Sequence, residues 1–430
     1  MELKGLLKER RKSILRKIAE IRSVSALYEI QKEIAEEIKN SEELVKQDTS
    51  GEHKWHIHLL RCCCDAIAWG LLHSHTIRQL GKNPSPPQSL STQGEAFDLT
   101  LKYAKELSDE GLPIIISDIT NCIKIGDIVI CSDPELPTIV ECKSGNFSPE
   151  KVMQGRIGRQ ISRVMGTLEY LSDGQAKVFG ESTQRVAFGT DIEVNYNWDT
   201  VNKTVKEALK NGKGIGIANN YDAMWALRDD DKDIYVPEEI EDFIIKLKTP
   251  SIGCHLRVVE ELEFMVPPPA AWPIDLDCRI ALMEGDILLF HLIDLNHFLE
   301  IKKPYGKIKK ILLGKKYIKE YCFVVEVNGH YTELSSRFID DVLYGYATIE
   351  SVTENMIEFA LQCCESNVIP KVIEEGKKPQ VKVINTLKEA LELAKKKDLV
   401  SKKAFVIIPK SLLEKLGKIK KIIRDVKKDT

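Results

Sequence analysis

Isoleucines recur every three or four residues through the first 47 residues of the chain, with charged side chains between them. This spacing places apolar side chains along one side of an α-helix, and it predicts one or two long helices. The pattern is interrupted between Ser23 and Ser25, where a turn or a kink is expected. Such an arm can pack against its own core or pair with a second copy of the chain, and both arrangements fit. The repeating residues are Ile14, Ile18, Ile21, Ile30, Ile34 and Ile38.

A buried helix, a second helix and three short strands are predicted for the next part of the chain. Residues 55–80 are almost continuously apolar and predict one helix that is buried on most sides. A connector rich in proline and serine follows, and Thr92 is expected to cap the next helix with Glu95 as its capping-box partner. That helix is predicted to end near Asp109. Apolar strands are then expected at residues 112–119, 125–131 and 137–143.

A further helix is predicted after the third strand, because Ser-Pro-Glu at residues 148–150 suits the first positions of a helix. One side of this helix is apolar, and a second side carries three arginines that suit either phosphate contacts or a solvated face. Gln160 lies at one boundary between the two sides, and Gln154 lies at the other. The arginines are Arg156, Arg159 and Arg163.

The remainder of the chain mixes short strands and helices. The glycine-rich turn at residues 212–218 has neither the P-loop nor the GxGxxG motif, so it predicts no nucleotide site. The pattern changes near Tyr235, and the half that follows shows no chemical constellation. Positioning, oligomerisation or substrate selection is its expected role. The predicted organisation is a helical N-terminal region (1–80), a central domain (90–230) and a C-terminal accessory α+β domain (235–430).

Composition narrows the class of protein. The chain has 430 residues, of which 43% are hydrophobic and 30% are charged, as in ordinary globular proteins. The net charge of -3 gives no global basic character. The lysine-rich segment after Lys302 is interpreted as a solvated face, with a binding patch as the alternative. The 11 cysteines include no CxxC pair, so buried reduced thiols are expected rather than a zinc site. No signal peptide or membrane-length apolar run is found, which favours a cytoplasmic protein without a membrane partner.

Three charged residues lie in the otherwise apolar second and third predicted strands, which are expected to form a hairpin. Asp127 opens one strand, and Glu141 and Lys143 lie in the next. Alternation along a strand directs Glu141 and Lys143 to the same face. Because buried charge without a partner is costly, a metal ion or a phosphate is the expected counterpart. Asp118, at the end of the preceding strand, is an alternative acid.

This pattern resembles the PD-(D/E)xK phosphodiesterase superfamily, the fold of many restriction endonucleases and DNA-repair nucleases. The resemblance covers residues 90–190. Asp127 matches the first acid, Glu141 and Lys143 match the ExK element, and Glu95 matches a further acid on the preceding helix. The resemblance implies an α/β fold with a restriction-endonuclease-like core, in which helices flank a mixed central sheet. The N-terminal helical region and the C-terminal α+β domain would be additions to that core.

The resemblance also implies a set of roles. Asp127, Glu141 and the backbone carbonyl of Cys142 would hold Mg²⁺ or Mn²⁺, which prefer oxygen ligands. Lys143 would contact the scissile phosphate and help orient or deprotonate the attacking water. Glu95 would serve a second metal or its hydration shell. The side chains expected to position the nucleic-acid strand are Gln160, Arg156, Arg159 and Arg163.

The predicted function is therefore a metal-dependent nuclease, with DNA favoured over RNA, acting in restriction or anti-phage defence. A homodimer or a protein partner in such a defence system is expected. The alternative is a catalytically inactive nuclease fold that binds nucleic acid or serves as a scaffold or regulatory protein. Other enzyme classes are less supported, because the chain has no GxSxG, HExxH or kinase-type motif.

Overall fold

The computed structural model describes residues 2–81, 87–140, 142, 164, 167–168, 171, 175–176, 185–186, 192–229, 235–254, 266–312, 322–335, 337–365 and 406–407. These residues form a mixed α/β structure with helices and small antiparallel sheets. The chain divides into two compact units. The first comprises residues 1–187 and 262–284, and the second comprises residues 188–261 and 285–430. None of the described helices is long and apolar enough to cross a membrane.

The helices of the described residues are α1 (Glu2–Ala19), α2 (Val24–Val45), α3 (Glu52–Leu71), α4 (Ser74–Leu80), α5 (Leu90–Gln93), α6 (Glu95–Asp109), α7 (Trp198–Asn211), α8 (Glu238–Lys246), α9 (Leu276–Glu284), α10 (Asn296–Glu300), α11 (Arg337–Leu343) and α12 (Ile349–Glu365). The strands are β1 (Ile114–Ile116), β2 (Ile128–Ile130), β3 (Thr138–Val140), β4 (Gln175–Ala176), β5 (Arg185–Val186), β6 (Lys213–Asn219), β7 (Asp222–Arg228), β8 (Pro250–Cys254), β9 (Ile287–Asp294), β10 (Lys302–Lys303), β11 (Gly306–Leu312), β12 (Cys322–Val327), β13 (His330–Ser335) and β14 (Val406–Ile407).

The helical arm predicted for the N-terminus is confirmed, and the interruption lies where it was expected. Ser23 is the N-cap of α2, and its hydroxyl accepts a hydrogen bond from the Ala26 N–H. The prediction of a single helix for residues 55–80 is wrong. The backbone is extended at Leu72, where α3 ends, and α4 begins at Ser74. The His73 N–H donates to the Pro134 carbonyl at 2.9 Å, so a contact distant in sequence ends the helix.

The predicted capping box at Thr92 is also wrong. Gly94 is the N-cap of α6, and the Thr92 hydroxyl donates instead to the Ser89 carbonyl within the short helix α5. The carboxylate of Glu42 on α2 accepts hydrogen bonds from the backbone N–H groups of Leu90 and Ser91. A side chain from another helix therefore caps α5, which no local pattern predicts.

The three predicted strands of the first unit form an antiparallel sheet in the order β1-β2-β3. Its buried face shares a core with α3 and α4. The core residues are Ala68, Leu72, Ile77, Leu80, Ile115, Cys122, Ile123, Val129 and Cys131. The helices before residue 80 and the strands after residue 90 thus belong to one compact unit.

The outer edge of β1 is closed by an amide side chain from α2. Gln31 Nε2 donates to the Ile114 carbonyl at 2.9 Å, and Gln31 Oε1 accepts from the Ile116 N–H at 2.9 Å. These are the two backbone groups that a further strand would use. Gln31 is fully buried, so the pair of bonds also satisfies polar groups that water does not reach.

We expect Gln31→Met to lower the free energy of unfolding by about 2–4 kcal/mol, because it leaves two buried backbone groups without partners. Chemical denaturation measures this loss. Gln47→Met is the matched control, since Gln47 is exposed just beyond the end of α2. Equal stability of the two variants would contradict the edge-closing role of Gln31.

A buried ionic network joins α9 to the N-terminal helices of the first unit. Arg11 donates to both carboxylate oxygens of Glu284, at 2.8 and 2.6 Å, and both side chains are almost fully buried. Arg11 Nη1 also lies 2.9 Å from His56 Nδ1, while His56 Nε2 lies 3.2 Å from Glu37 Oε1. Since Arg11 can only donate, Nδ1 accepts and Nε2 carries the proton, which is the neutral form of histidine. Burial, and next the charge of Arg11, lower the pKa of His56 to about 4.

This histidine makes the stability of the protein depend on pH. In the unfolded chain His56 binds a proton near its ordinary pKa, whereas in the folded protein it stays neutral to a much lower pH. The contribution of neutral His56 to the free energy of unfolding is therefore fully present above about pH 6.5. It is lost as the pH falls toward about 4. We expect the native protein to lose about 2 kcal/mol more than a His56→Gln variant between about pH 7 and 4.5 in urea unfolding. A His330→Gln control at an exposed histidine should keep the native slope, and loss of the slope there would contradict the assignment.

The second unit contains two larger antiparallel sheets. One has the order β14-β8-β9-β7-β6, and the other has the order β10-β11-β12-β13. Because β7 pairs along its whole length with β9, residues on both sides of the predicted boundary at 230–235 belong to one sheet. Helix α7 packs so closely on β6 that a Cβ at Gly214 would lie 2.0 Å from the Thr204 carbonyl oxygen.

Every described strand pairing is antiparallel. A mixed sheet needs at least one parallel pair, and none occurs among the residues that the structure describes. The α/β class is therefore confirmed at the level of mixed helices and sheets. The restriction-endonuclease-like core stays a prediction.

Candidate functional site

Asp127 lies where the three strands of the first unit's sheet meet. Its carbonyl accepts from the Ser117 N–H at the end of β1, and its own N–H donates to the Val140 carbonyl of β3, both at 2.9 Å. Its carboxylate accepts a hydrogen bond of 2.5 Å from the Cys142 N–H. Asp127, which directly precedes β2, is therefore hydrogen-bonded to both Val140 and Cys142, the two neighbours of position 141. Asp127 is partly buried, and Cys142 is buried.

Gly126 makes this arrangement possible. Its φ is +77°, in the left-handed region that side chains with a Cβ rarely adopt. A Cβ built there would lie 2.3 Å from Ile139 Cγ2, a distance that the neighbouring strand cannot accommodate without shifting. Glycine is thus required both by the backbone conformation and by the close approach of β3.

The loop that leads into Gly126 is held by a buried carboxylate from α3. Asp65 Oδ1 accepts from the N–H groups of Asn121 and Cys122, at 2.7 and 2.9 Å. Asp65 Oδ2 accepts from Asn121 Nδ2 at 2.9 Å. Burial raises the pKa of Asp65, and the hydrogen bonds from Asn121 and Cys122 act in the opposite direction. The carboxylate therefore fixes the loop by taking up donors that would otherwise be buried without partners.

Arg61, one turn earlier on α3, anchors the turn that precedes this loop. It donates to the Asp118 carbonyl at 2.8 Å and to the Gln88 carbonyl at 3.0 Å. Its Nη2 also lies 3.6 Å from Glu42 Oε1. Burial lowers the pKa of Arg61, and the charge of Glu42 acts most strongly against that effect. A guanidinium stays protonated under all ordinary conditions, so Arg61 brings a buried positive charge to this side of the sheet.

A second cation, Lys124, is partly buried within the loop itself. Burial lowers the pKa of Lys124 to about 8, the charge of Asp65 counteracts this shift, and Arg61 adds to it. The Lys124 N–H donates to the Leu80 carbonyl at 2.9 Å, which ties the loop to the end of α4. Two acids and two bases, Asp65, Asp118, Arg61 and Lys124, thus interact around the loop before Asp127.

The predicted site residues are only partly within the described chain. Glu95 is exposed in the first turn of α6, and Asp118 is partly buried in a 3-10 turn after β1. Among the described residues, no group of three or more histidine, cysteine, aspartate or glutamate side chains is arranged to hold a metal ion. The other predicted residues lie outside the described residues. They are Glu141, Lys143, Gln160, Arg156, Arg159 and Arg163.

The metal-ligand atoms that the structure describes are of the chemical type that the predicted ion prefers. A carboxylate at Asp127 and a backbone carbonyl at Cys142 are oxygen ligands, which Mg²⁺ and Mn²⁺ prefer. The sulfur atoms of the described cysteines are a different case. Burial raises the pKa of the Cys62, Cys63, Cys64 and Cys122 thiols, so they stay protonated. Their expected role as small buried side chains is confirmed.

Two residues that hold this region together, Arg61 and Asp65, were not among the predicted site residues. Arg61 and Asp65 are four residues apart in an otherwise apolar helix, so they lie on the same side of it. Charged residues at that spacing within a buried helix indicate partners elsewhere in the fold. That signal was available in the sequence, although the partners at Asn121, Cys122 and Gln88 were not.

Comparison with known proteins found no matching protein-family model, no matching curated protein and no matching solved structure.

We expect Gly126→Ala to lower the free energy of unfolding by about 2–4 kcal/mol, since it adds both backbone strain and a steric clash with β3. Gly111→Ala is the matched control, because Gly111 has a φ of +82° but has no atom within 4 Å of the added Cβ. We expect about 1 kcal/mol for the control, from backbone strain alone. Equal losses in denaturant unfolding would show that the close approach of Ile139 does not matter.

Proposed function

We propose that the protein is a metal-dependent nuclease of the PD-(D/E)xK class, with DNA favoured over RNA as its substrate. The observation that carries this proposal is the 2.5 Å hydrogen bond between the Cys142 N–H and the Asp127 carboxylate. It joins the first acid of the motif to the segment that carries Glu141 and Lys143. Asp127 therefore lies close to the segment whose sequence spacing matches the motif.

The chemistry follows from the residue types. Asp127, Glu141 and the Cys142 carbonyl would hold Mg²⁺ or Mn²⁺, which polarises a phosphate and activates a bound water. Lys143 would contact the scissile phosphate, stabilise its developing negative charge and orient the attacking water. Glu95 would add a carboxylate for a second ion. Gln160 and the three arginines at 156, 159 and 163 would position the strand without reading its sequence.

Restriction or anti-phage defence is the biological role that we propose for such a nuclease. Cleavage of both strands of a duplex at one position requires two active sites, which a homodimer would supply. A protein partner within the same defence system would serve the same end.

The second candidate is a catalytically inactive protein of the same class that binds nucleic acid or serves as a scaffold. The same hydrogen bond also supports this candidate, because it gives the Asp127 carboxylate a structural role. A carboxylate that accepts from the Cys142 N–H just after β3, next to a glycine required by the backbone, stabilises this part of the fold whether or not it binds a metal ion. The two candidates therefore differ in what the loss of Asp127, Glu141 or Lys143 does to activity.

We expect the purified protein to cleave nucleic acid with Mg²⁺ or Mn²⁺ and not with chelator. Linear DNA, circular DNA and RNA are tested in parallel, and the products are followed on gels. The Glu141→Ala/Lys143→Ala and Asp127→Asn variants should be at least about a hundredfold slower, because each removes charge stabilisation of the transition state.

Asp133→Asn is the matched control for Asp127→Asn. Asp133 lies in the turn of the same hairpin, where its carboxylate accepts from the Glu135 and Leu136 N–H groups. It should leave the cleavage rate unchanged. Absence of cleavage on every substrate, together with absence of Mn²⁺ binding in calorimetry, would overturn the nuclease proposal and favour the second candidate.

A further inference from the structure

One face of the four-stranded sheet in the second unit is covered by a helix, and the other face carries charged side chains that are exposed or partly buried. Helix α12 covers the first: a Cβ at Gly306 of β11 would lie 2.7 Å from Ile357 Cγ2 of α12. Phe323, Val325 and Val327 of β12 are buried on that side. Alternation along the strands therefore directs the intervening residues to the opposite side.

That opposite side, which we call the lysine face, is defined by Lys302, Lys307, Lys309, Lys310, Glu326, Tyr331 and Glu333. Lys307 is paired in register with Glu326, and Glu326 with Tyr331, so these side chains form one row across the sheet. Lys310 is paired with Val324, and Val324 with Glu333, which gives a second row. A bulge between Ile308 and Lys310 brings Lys309 to the same side, where its Nζ lies 3.3 Å from Glu326 Oε2.

The charges on the lysine face are not balanced. Lys302 and Lys307 are direct partners on neighbouring strands, an arrangement of like charges that destabilises a sheet. Glu326 serves two lysines at once, since Lys307 Nζ lies 3.6 Å from the same carboxylate oxygen. Lys302 and Lys310 are exposed and form no ion pair with a described residue. A solvated face would normally alternate its signs, whereas this one concentrates positive charge.

An aromatic ring lies beside these cations. Tyr331 is 51% exposed, and its register partner is Glu326, next to Lys307 in the same row. From β10 to β13 the face extends over about 14 Å, given the ordinary spacing of strands. That width is large enough for contacts with more than one phosphate of a single strand. Cations that follow a backbone, with an exposed ring on which a base can stack, are the chemistry of single-strand binding.

We propose that the lysine face binds the backbone of single-stranded nucleic acid, with the four lysines contacting phosphates and Tyr331 stacking on a base. This surface is separate from the residues of the candidate active site, because it is formed entirely by the second unit. The choice of nucleic acid over another polyanion rests in part on the proposed function. Of the two interpretations of the lysine-rich segment, a solvated face or a binding patch, the proposal adopts the second for these four residues.

The test measures binding without cleavage. The full chain is titrated against a fluorescein-labelled oligothymidylate of about 20 nucleotides in chelator, between about 50 and 200 mM salt, by fluorescence anisotropy. We expect Lys302→Gln/Lys310→Gln to weaken binding roughly tenfold at the lower salt. The slope of log K against log salt should fall by about 1.4, because each phosphate contact to a single strand contributes about 0.7. The variant should be no less stable than the native protein in denaturant unfolding, because the substitutions break no described ion pair and relieve the repulsion between Lys302 and Lys307.

Lys213→Gln/Lys248→Gln is the control for the charge change. These lysines lie elsewhere in the second unit, their side chains are 39% and 68% exposed, and they pair with Glu239 and Glu300. It should leave the affinity and the salt slope near the native values. Glu333→Gln should tighten binding, since it removes a negative charge from the face. Tyr331→Ala should weaken binding, whereas Tyr331→Phe, which retains the ring, should not.

Three results would overturn the inference. The first is the absence of binding by the native protein at the lower salt. The second is an equal loss of affinity in the Lys302→Gln/Lys310→Gln variant and the control. The third is equally tight binding of polyglutamate with no effect of Tyr331→Ala, which would indicate an acidic protein partner instead. Because chelator prevents cleavage, lysine-dependent binding by a protein without nuclease activity would support this inference while contradicting the proposed function.

Discussion

The fold of the first unit depends on a buried carboxylate. Asp65 lies within an apolar helix and accepts three hydrogen bonds from Asn121 and Cys122, in the loop between β1 and β2. Burying an aspartate is costly, and only donors of this number and geometry make it tolerable. Because the loop is held in this way, the chain reaches Gly126 in a conformation that only glycine adopts readily. Asp127 then meets β3.

Other buried polar groups in this unit also find their partners on elements distant in the sequence. Gln31 closes the edge of β1, Glu42 caps α5, and Arg11 pairs with Glu284 on a helix that is far away in the sequence. Each contact joins elements that no short stretch of sequence relates. Breaking one partner of such a pair leaves the other buried and unsatisfied, so each contact also selects one arrangement of the elements.

The two proposals use different kinds of surface. The candidate active site relies on charges placed among apolar strands, where a metal ion is the natural counterpart. The lysine face relies on exposed charge over an open sheet, where salt competes and affinity depends on the number of phosphates contacted. A nuclease needs both a reacting centre and a means of holding its substrate, and here the two would belong to separate units of the chain.

The sequence by itself determined the local structure. The isoleucine repeat placed α1 and α2, Ser23 marked the break between them, and the apolar runs placed β1, β2 and β3, because periodicity and capping act over a few residues. The Asp127 motif was also visible in the sequence, whereas the chemistry that it predicts stays a proposal. Tertiary structure decided the rest: where α3 ends, how α5 is capped, which strands share a sheet, and how far each unit extends. Those outcomes depend on partners such as Pro134, Glu42 and β9, which become neighbours only once the chain has folded.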